Sequence, residues 1–272
     1  MKILELSETS NKTFWIEKIR MGEWRAAKYL AKLLQDGSFY SLCGKKSKVF
    51  LLVEDGSSES DSIKGELISF CTYAEHDDIP DTELSPWIGF VYTFPQFRGK
   101  RRIGKLIEHI YRLAKTEGKE NLYISTDQKG LYENFGAEFY TTLKDVNGDT
   151  ALVYKIKIET KDYSKIIGTT VSGKIDRPLG TCHPRHKEMI YPINYGYVDG
   201  IFAGDGAEQD VYVFGANKPI YEYTGKVIAV YHRLNDCEDK WIVSLDDKPV
   251  SDREILKAIE FQEQYFMGEL YR

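Results

Sequence analysis

The sequence predicts an α/β domain followed by a small β-barrel domain with a C-terminal helix. A length of 272 residues suits two domains of ordinary size. Strand-like and helix-like patterns alternate through residues 1–158, which is typical of an α/β domain. In residues 166–272 strands dominate between loops rich in glycine and proline, as expected of a small barrel. The polar stretch 159–165 is predicted to be the linker.

The elements of the first domain follow from its apolar spacing. Large apolar residues at helical intervals between 14 and 35 predict two short helices interrupted near Gly22. The β-prone runs 48–55 and 65–73 predict a hairpin with a polar loop. The other predicted elements are an acidic loop at 74–86, a strand at 87–94, a helix from Ile103, a strand at 121–126, a short helix at 128–136 and a strand at 151–158.

The second domain is predicted to contain mainly short strands. These lie at 170–175, 210–214, 226–233 and 240–244, and a helix over 251–267 closes the chain.

Charge and cysteine content exclude several classes of protein. Residues 1–160 carry 23 basic and 24 acidic side chains, and residues 161–272 carry 14 and 18. Neither part has the basic excess of a nucleic-acid or anionic-membrane binder, so neither partner is expected. The four cysteines form no CxxC pair, which argues against a zinc site or a disulfide framework. Without a signal-like or membrane-spanning apolar run, a cytoplasmic location is expected.

A dense basic stretch lies inside this acidic chain, with eight Lys and Arg residues between Arg98 and Lys119. It could be a nucleic-acid patch, a solvated helix face or a seat for a phosphorylated ligand. It begins where a predicted strand ends and a predicted helix starts. Helix N-termini bind phosphate, glycine permits close backbone approach, and basic side chains add charge-assisted hydrogen bonds. The residues concerned are Arg98, Gly99, Lys100, Arg101, Arg102, Ile103 and Gly104.

This turn resembles the acetyl-CoA site of the GNAT acetyltransferases, whose signature is Arg/Gln-x-x-Gly-x-Gly/Ala. Arg101 stands where the signature has its first glycine, a variant of RGxR form. Downstream, GLYENFGA at 130–137 is similar to a second element of that family. The resemblance covers about residues 1–158. It implies the GNAT fold, with a mixed central sheet.

The resemblance also implies a reaction, the transfer of an acetyl group from the cofactor acetyl-CoA to a small amine or peptide amine. Main-chain groups of the strand before the turn would pair with pantetheine, at Phe90, Val91, Tyr92 and Thr93. Tyr132 matches the tyrosine that protonates the departing CoA sulfur. A phenol can donate a proton to a thiolate of comparable basicity.

The general base is left open by the sequence. Glu83, just before the strand at 87–94, is the first candidate, with Glu75 and His76 as alternatives. The acidic stretch 75–83 is also expected to attract a cationic amine. Its other acids are Asp77, Asp78 and Asp81.

The second domain contains a pair of carboxylates, Asp205 and Asp210, around a glycine turn. Such oxygen ligands suit Mg²⁺, although the spacing alone is common. Upstream lies YPINYGY at 191–197, and downstream lies NDCEDK at 235–240. Together these motifs resemble the soluble inorganic pyrophosphatases over about residues 166–245.

The resemblance implies a Mg²⁺ and phosphate site. Its metal ligands would be Asp205, Asp210, Asp236 and Glu238, and its phosphate-binding residues Tyr195, Lys240 and Arg185. The motif departs from the family at Ala207, which replaces its central acid. His183 falls near the place of a phosphate-binding arginine, and Ser172 and Lys174 stand where a lysine and a glutamate are expected. Loss of the central carboxylate predicts weakened or altered hydrolysis of pyrophosphate or another phosphorylated metabolite.

Three functions follow from these motifs. The first is an N-acetyltransferase that carries a pyrophosphatase-like domain of weakened activity. The second is a bifunctional enzyme that also hydrolyses pyrophosphate with Mg²⁺. The third is a regulatory protein that binds CoA or phosphate without turnover. The identity of the acyl acceptor and the oligomerisation of the chain stay open.

Overall fold

The computed structural model describes residues 1–54, 65–246 and 248–272. The chain forms two compact units, Met1–Glu159 and Thr160–Arg272. The division falls at the start of the stretch predicted as a linker. Of that stretch, Tyr163 packs into the core of the second unit, and its hydroxyl donates to Asp239 over 2.6 Å. No helix among the described residues is both long enough and apolar enough to cross a bilayer.

The first unit is built on a seven-stranded mixed sheet. Its elements are β1 (Lys2–Glu5), α1 (Lys12–Arg20), α2 (Arg25–Asp36), α3 (Phe39–Cys43), β2 (Lys48–Val53), β3 (Leu67–Ala74), β4 (Trp87–Thr93), α4 (Ile103–Thr116), β5 (Asn121–Thr126), β6 (Glu138–Lys144) and β7 (Thr150–Lys157). The strand order is β1-β2-β3-β4-β5-β7-β6, in which β4 and β5 are parallel and the other neighbours antiparallel. The predicted mixed sheet is therefore confirmed.

The helices cover both faces of this sheet. Alternation along β2 places Val49, Leu51 and Val53 in one apolar cluster with α1 and α2. Phe50 points to the opposite face, where its ring meets His109 of α4 at 4.7 Å between centroids. The helices α1 and α2 thus lie on one face and α4 on the other.

Most predicted elements of the first unit are confirmed, including the two helices on either side of Gly22 and the antiparallel pairing of β2 with β3. The predicted hairpin loop lies in 55–64, outside the described residues. The predicted helix at 128–136 was wrong in length, since it is a 3₁₀ turn over Tyr132–Phe135. The sequence prediction missed β1, α3 and β6. In β6 the aromatic residues Phe139 and Tyr140 are adjacent rather than alternating, so period-two spacing is lost.

The second unit contains a closed five-stranded barrel. Its elements are β8 (Thr170–Arg177), β9 (Asn194–Phe202), β10 (Glu208–Phe214), β11 (Glu222–Arg233), β12 (Asp239–Ser244), α5 (Asp252–Glu263) and β13 (Gly268–Tyr271). Pairing runs β12-β10-β9-β8-β11, and β11 also pairs with β12, which closes the ring. The predicted barrel is confirmed. The predicted helix over 251–267 is shorter, because the chain turns after Glu263 and enters β13, a strand that was not predicted.

Two glycines allow neighbouring barrel strands to approach closely. A β-carbon on Gly173 of β8 would overlap the carbonyl oxygen of Tyr197, and one on Gly196 of β9 would overlap that of Lys174. The glycine in YPINYGY therefore has a packing role at the β8–β9 pair. The helix α5 begins with a reciprocal capping box between Ser251 and Glu254.

Candidate functional site

A β-bulge interrupts β4 in the middle of the first unit's sheet. The register of β4 against β3 shifts between Gly89 and Tyr92. Phe90 and Val91 therefore stand opposite one residue of β3, Cys71. Phe90 has a φ of 47°, a left-handed conformation that is uncommon for a bulky residue. Such local strain is often found at functional sites.

The strands β4 and β5 diverge beside this bulge. Among the described residues their parallel ladder is limited to Trp87 opposite Tyr123, near the start of β4. The edge of β4 from Phe90 to Thr93 therefore faces β5 without a ladder partner. The Tyr92 carbonyl accepts from the Ser69 hydroxyl and the Thr93 carbonyl from Arg98. The backbone groups of this edge that have no partner can pair with an extended ligand.

The chain turns sharply between β4 and α4. Gly99 has a φ of 77° and Arg101 a φ of 49°, so Arg101 adopts the backbone conformation that glycine favours. The Gly104 N–H donates to the Arg101 carbonyl over 3.0 Å. The N–H groups just ahead of Gly104 lie at a helix start, where no preceding turn can satisfy them. Together with the positive end of α4, which begins at Ile103, they form a seat suited to an anion.

The basic side chains of this turn do not converge on one point. Arg98 donates to the Thr93 carbonyl over 2.9 Å. Arg101 donates to the Asn134 carbonyl over 2.6 Å. Arg102 lies over an aromatic ring, 5.4 Å from the centroid of Phe97. Lys100 is exposed, and we find no bond from its ammonium group within the described ranges. Of the four basic side chains, Lys100 is the one left to meet a ligand without rearrangement.

The turn that carries Tyr132 docks directly on the start of α4. A β-carbon on Gly104 would lie 2.9 Å from the Phe135 ring, so the close approach requires glycine. The guanidinium of Arg101 lies over the same ring, 5.3 Å from the Phe135 centroid. The two motifs singled out in the sequence therefore form one packed unit.

Tyr132 is almost buried, with 6% of its surface exposed. Its hydroxyl forms no hydrogen bond with any residue that the structure describes. Burial, and then the nearby Cys71 and Asp77, raise the pKa of the Tyr132 phenol. The phenol therefore stays protonated at neutral pH, as a proton donor must.

The predicted base candidates differ in their surroundings. Glu83 is exposed and forms no ion pair within the described residues. Glu75 accepts a hydrogen bond from the Lys46 N–H over 3.0 Å and packs against Gly44, so its carboxylate holds two loops together. His76 is exposed.

Asp77, which the sequence analysis did not select as the base, points towards the sheet. Asp77 is partly buried, and one carboxyl oxygen lies against Gly89 of β4. Burial, and then the neighbouring charge of Asp78, raise the pKa of the Asp77 carboxyl to about 7. Sequence spacing could not have identified Asp77, because the whole stretch 75–83 is acidic and no periodicity shows which side chain faces the sheet.

In the second unit, a lysine lies among the predicted metal ligands. The ammonium group of Lys240 is buried and forms ion pairs with both Asp210 and Glu238. Asp236 pairs instead with Arg233, with 2.8 Å between Nη1 and Oδ2. Lys240 is thus the ion-pair partner of two carboxylates, Asp210 and Glu238, that the resemblance assigned to Mg²⁺.

The remaining predicted residues are spread around this cluster. Asp205 accepts a hydrogen bond from the Ala207 N–H over 2.9 Å within the β9–β10 turn. Tyr195 is buried, and burial followed by Asp210 raises the pKa of its phenol well above the usual value. Arg185 is exposed, and its backbone N–H donates to Nδ1 of His183 over 3.2 Å.

A Mg²⁺ ion does not fit the residues in this arrangement. Across the described ranges, no group of three or more His, Cys, Asp or Glu side chains has a geometry that could hold a metal. Lys240 supplies the positive charge between Asp210 and Glu238, so a divalent ion there would face an ammonium group. The described residues therefore form an internal ion cluster here and do not support the expected magnesium site.

A buried ion pair that the sequence analysis did not anticipate adjoins the cluster. Arg233 is bound by both oxygens of Glu263, with Nε–Oε2 and Nη2–Oε1 distances of 2.8 Å each. The Tyr212 hydroxyl also donates to Glu263 over 2.6 Å. The pairing could not be inferred from sequence, because the two charged residues lie 30 positions apart and look like ordinary surface positions.

The first unit matches a known protein family over most of its length. Residues 16–137 match the family described as "Acetyltransferase (GNAT) family". The first unit therefore contains a GNAT acetyltransferase domain. A search of curated proteins finds no match.

Several solved structures are similar in part. An aminoglycoside 6'-N-acetyltransferase from Enterococcus faecium is 13% identical, with a TM-score of 0.41, over 60% of this chain and 99% of that one. The ribosomal-protein-S18-alanine N-acetyltransferase from Escherichia coli is 13% identical, with a TM-score of 0.39, over 59% and 96%. An inorganic pyrophosphatase from Ehrlichia chaffeensis is 18% identical, with a TM-score of 0.32, over 39% and 86%.

Proposed function

We propose that the first unit is an acetyl-CoA-dependent N-acetyltransferase that acts on a small amine or a peptide amine. The observation that carries the proposal is the bulged strand β4, whose open edge from Phe90 leads directly into the turn before α4. An extended ligand with a diphosphate at one end fits an open strand edge that is followed by an anion-binding turn. The family match over residues 16–137 supports the same chemistry.

The binding contacts follow from the open groups. Backbone groups of residues 90–93 pair with the pantetheine amides, and the turn at 98–104 receives the diphosphate. Lys100 and the first N–H groups of α4 approach the phosphate oxygens, while Arg98, Arg101 and Arg102 contribute to the positive potential. The thioester then lies at the bulge, between the diverging strands.

Transfer follows by addition and elimination at the thioester carbonyl. The amine nitrogen attacks the carbonyl carbon, a C–N bond forms, and the C–S bond breaks. The nitrogen loses one proton to a base. The departing thiolate takes the hydroxyl proton of Tyr132, which burial keeps available for donation. Solvent then reprotonates the phenolate.

Calorimetric titration with acetyl-CoA tests the binding half of this proposal. The double variant Lys100→Glu/Arg101→Glu should weaken acetyl-CoA at least about tenfold, because charge-assisted hydrogen bonds to the diphosphate are lost and like charges introduced. Lys119→Glu, which makes the same type of charge change just beyond the other end of α4, is the matched control. Equal affinity in the double variant and the control would contradict the proposed phosphate seat.

Three functions were considered from the sequence. For the second unit, the ion pairs around Lys240 favour the first of them, a pyrophosphatase-like domain with weakened activity. The carrying observation is that the Lys240 ammonium group pairs with Asp210 and Glu238. In addition, Ala207 stands where the pyrophosphatase motif has its central acid. Phosphate release from pyrophosphate with Mg²⁺ or Mn²⁺ tests it, beside Asp210→Asn. Slow but measurable release is expected. Rapid release that disappears in the variant would establish the bifunctional alternative, and CoA or phosphate binding without any turnover would favour the regulatory one.

A further inference from the structure

The carboxyl group of Asp77 rests against the backbone of β4, one residue before the bulge at Phe90. A β-carbon placed on Gly89 would lie 3.0 Å from Oδ2 of Asp77 and 3.0 Å from Oγ1 of Thr72. The absence of a side chain at Gly89 therefore brings a carboxylate and a hydroxyl together beside the strained residue.

Both polar groups retain unused bonding capacity. Oδ1 of Asp77 accepts the Asp78 N–H over 2.8 Å, and we find no hydrogen bond to Oδ2 from the described residues. Thr72 is 1% exposed, and its Oγ1 has no hydrogen-bond partner within the described part of the chain. A buried hydroxyl without a partner is costly, so its persistence points to a ligand group that completes it. An amine supplies N–H donors for both oxygens.

Asp77 and Tyr132 approach the bulge from different sides. Thr72 pairs with Val49, which belongs to the apolar cluster of α1 and α2, so Asp77 lies towards that face. Tyr132 belongs to the turn that docks on Gly104, at the start of α4 on the opposite face. A proton acceptor and a proton donor thus flank the position assigned to the thioester.

We propose that Asp77 is the general base that takes the proton from the attacking amine, with Thr72 orienting the nitrogen. This inference rests on the proposed acetyltransferase function. The amine nitrogen forms its bond to the carbonyl carbon as one N–H proton passes to Oδ2 of Asp77. The C–S bond breaks and the thiolate receives the Tyr132 proton. The protonated Asp77 then releases its proton to solvent, and the Tyr132 phenolate takes one from solvent. Amine and acetyl-CoA thereby become amide and free CoA, with atoms and charge balanced.

The surroundings of Asp77 suit proton transfer near neutral pH. Burial first, and then Asp78, raise the pKa of the Asp77 carboxyl to about 7. Cys43 of α3 and Tyr132 also interact with it, but burial raises the pKa of the Cys43 thiol to about 12 and raises that of Tyr132 too. Both are neutral at pH 7, so Asp78 is the neighbour whose charge adds to the effect of burial. Since Asp77 must be deprotonated to accept a proton, kcat/KM should fall as the pH drops below about 7.

Asp77→Asn is the direct test, with acetyl transfer measured for a panel of primary alkylamines and a peptide with a free N-terminus. For the best acceptor, kcat/KM should fall by about 10²-fold or more, while calorimetric affinity for acetyl-CoA is retained. The matched control is Asp149→Asn, which removes the same charge from an exposed position elsewhere on the first unit. It should match the wild type in both measurements.

Asp78→Asn gives a second and independent readout. The charge of Asp78 raises the pKa of Asp77, so its removal should move the acid limb of the kcat/KM profile to lower pH. This shift decides the question even if Asp77→Asn does not fold. The limb that belongs to the acceptor amine itself should not move, because the same acceptor is used throughout.

The outcomes separate the two proposals. If the wild type binds no acetyl-CoA, or transfers to no amine in the panel, the acetyltransferase function fails and the role of Asp77 fails with it. If the wild type transfers, and Asp77→Asn keeps both the rate and the acid limb, the base assignment alone is overturned. An unmoved limb in Asp78→Asn would also overturn it.

Discussion

Gly104, in the first turn of α4, lies directly against the ring of Phe135: a β-carbon on Gly104 would come within 2.9 Å of its Cε1 atom. The contact joins the proposed diphosphate seat to the turn that carries Tyr132. Two parts of the site that are about 30 residues apart in sequence are thus fixed against each other. The positions of the proposed proton donor and of the proposed phosphate seat therefore depend on one glycine.

Gly104→Val should damage this arrangement. The valine methyl groups must displace the Phe135 ring, and overpacking of this kind costs about 1–3 kcal/mol of folding free energy. We expect kcat to fall at least about tenfold because Tyr132 moves with Phe135. Thermal unfolding and steady-state kinetics measure both effects. Lys105→Ala, at the next and exposed position, is the control, and a similar loss in that variant would argue against a specific role for the glycine contact.

Tyr132→Phe tests the proton donor while preserving the ring that packs in the core. We expect kcat to fall by about 10²-fold with little change in KM for acetyl-CoA, because only proton donation to the thiolate is lost. Tyr154→Phe removes a hydroxyl that donates to Glu133 over 2.8 Å and serves as the matched control. Unchanged kcat in Tyr132→Phe would assign the donor elsewhere.

The pH dependence of stability offers a check on Asp77 that needs no acceptor. Its carboxyl pKa is about 7 in the folded protein, compared with an ordinary value of 3.8. Between these values the folded state binds more protons than the unfolded state, so this group's contribution to stability is lost as the pH rises. Asp77→Asn should therefore be more stable than the wild type at about pH 8, and the difference should shrink towards about pH 4. Melting temperatures across this range measure the effect, and a constant difference would contradict the raised pKa.

The Arg233–Glu263 pair predicts a stability effect in the second unit. Glu263→Leu removes the bidentate partner of the buried Arg233 guanidinium, which keeps its ion pair with Asp236. It also removes the acceptor of the Tyr212 hydroxyl. Loss of one partner of a buried pair costs about 3–5 kcal/mol. Denaturant unfolding followed by a probe in the barrel should show this loss. Glu260→Leu, at an exposed position of the same helix, should change the free energy of unfolding by less than about 1 kcal/mol.

Local patterns in the sequence predicted much of the fold, and pairing between distant strands explains what was missed. Apolar spacing was sufficient for the β2–β3 hairpin, for α4 and for the existence of the barrel. The ion pair of Lys240 was not predictable from spacing. It arises because β10 and β12 are parallel with Val211 opposite Trp241, a register that also aligns Asp210 with Lys240.

The same limit explains the candidate site. The basic turn and the Tyr132 element were recognisable because each is a continuous motif. Asp77 was not, since its position depends on a glycine of the neighbouring strand. Asp77 can be distinguished from the other acids of its loop only from the three-dimensional structure, which shows its carboxyl group against Gly89.

The closed ring of the second unit also bears on how the chain behaves at high concentration. Each of its five barrel strands has hydrogen-bonded neighbours on both sides, so those strands offer no free edge for another chain to extend. The open sheet of the first unit ends instead in β6, where Phe139 is 57% exposed. Glu138 and Lys144 place opposite charges at the two ends of that strand. Substituting these two residues with apolar ones should promote edge-to-edge aggregation through the first unit and leave the barrel uninvolved.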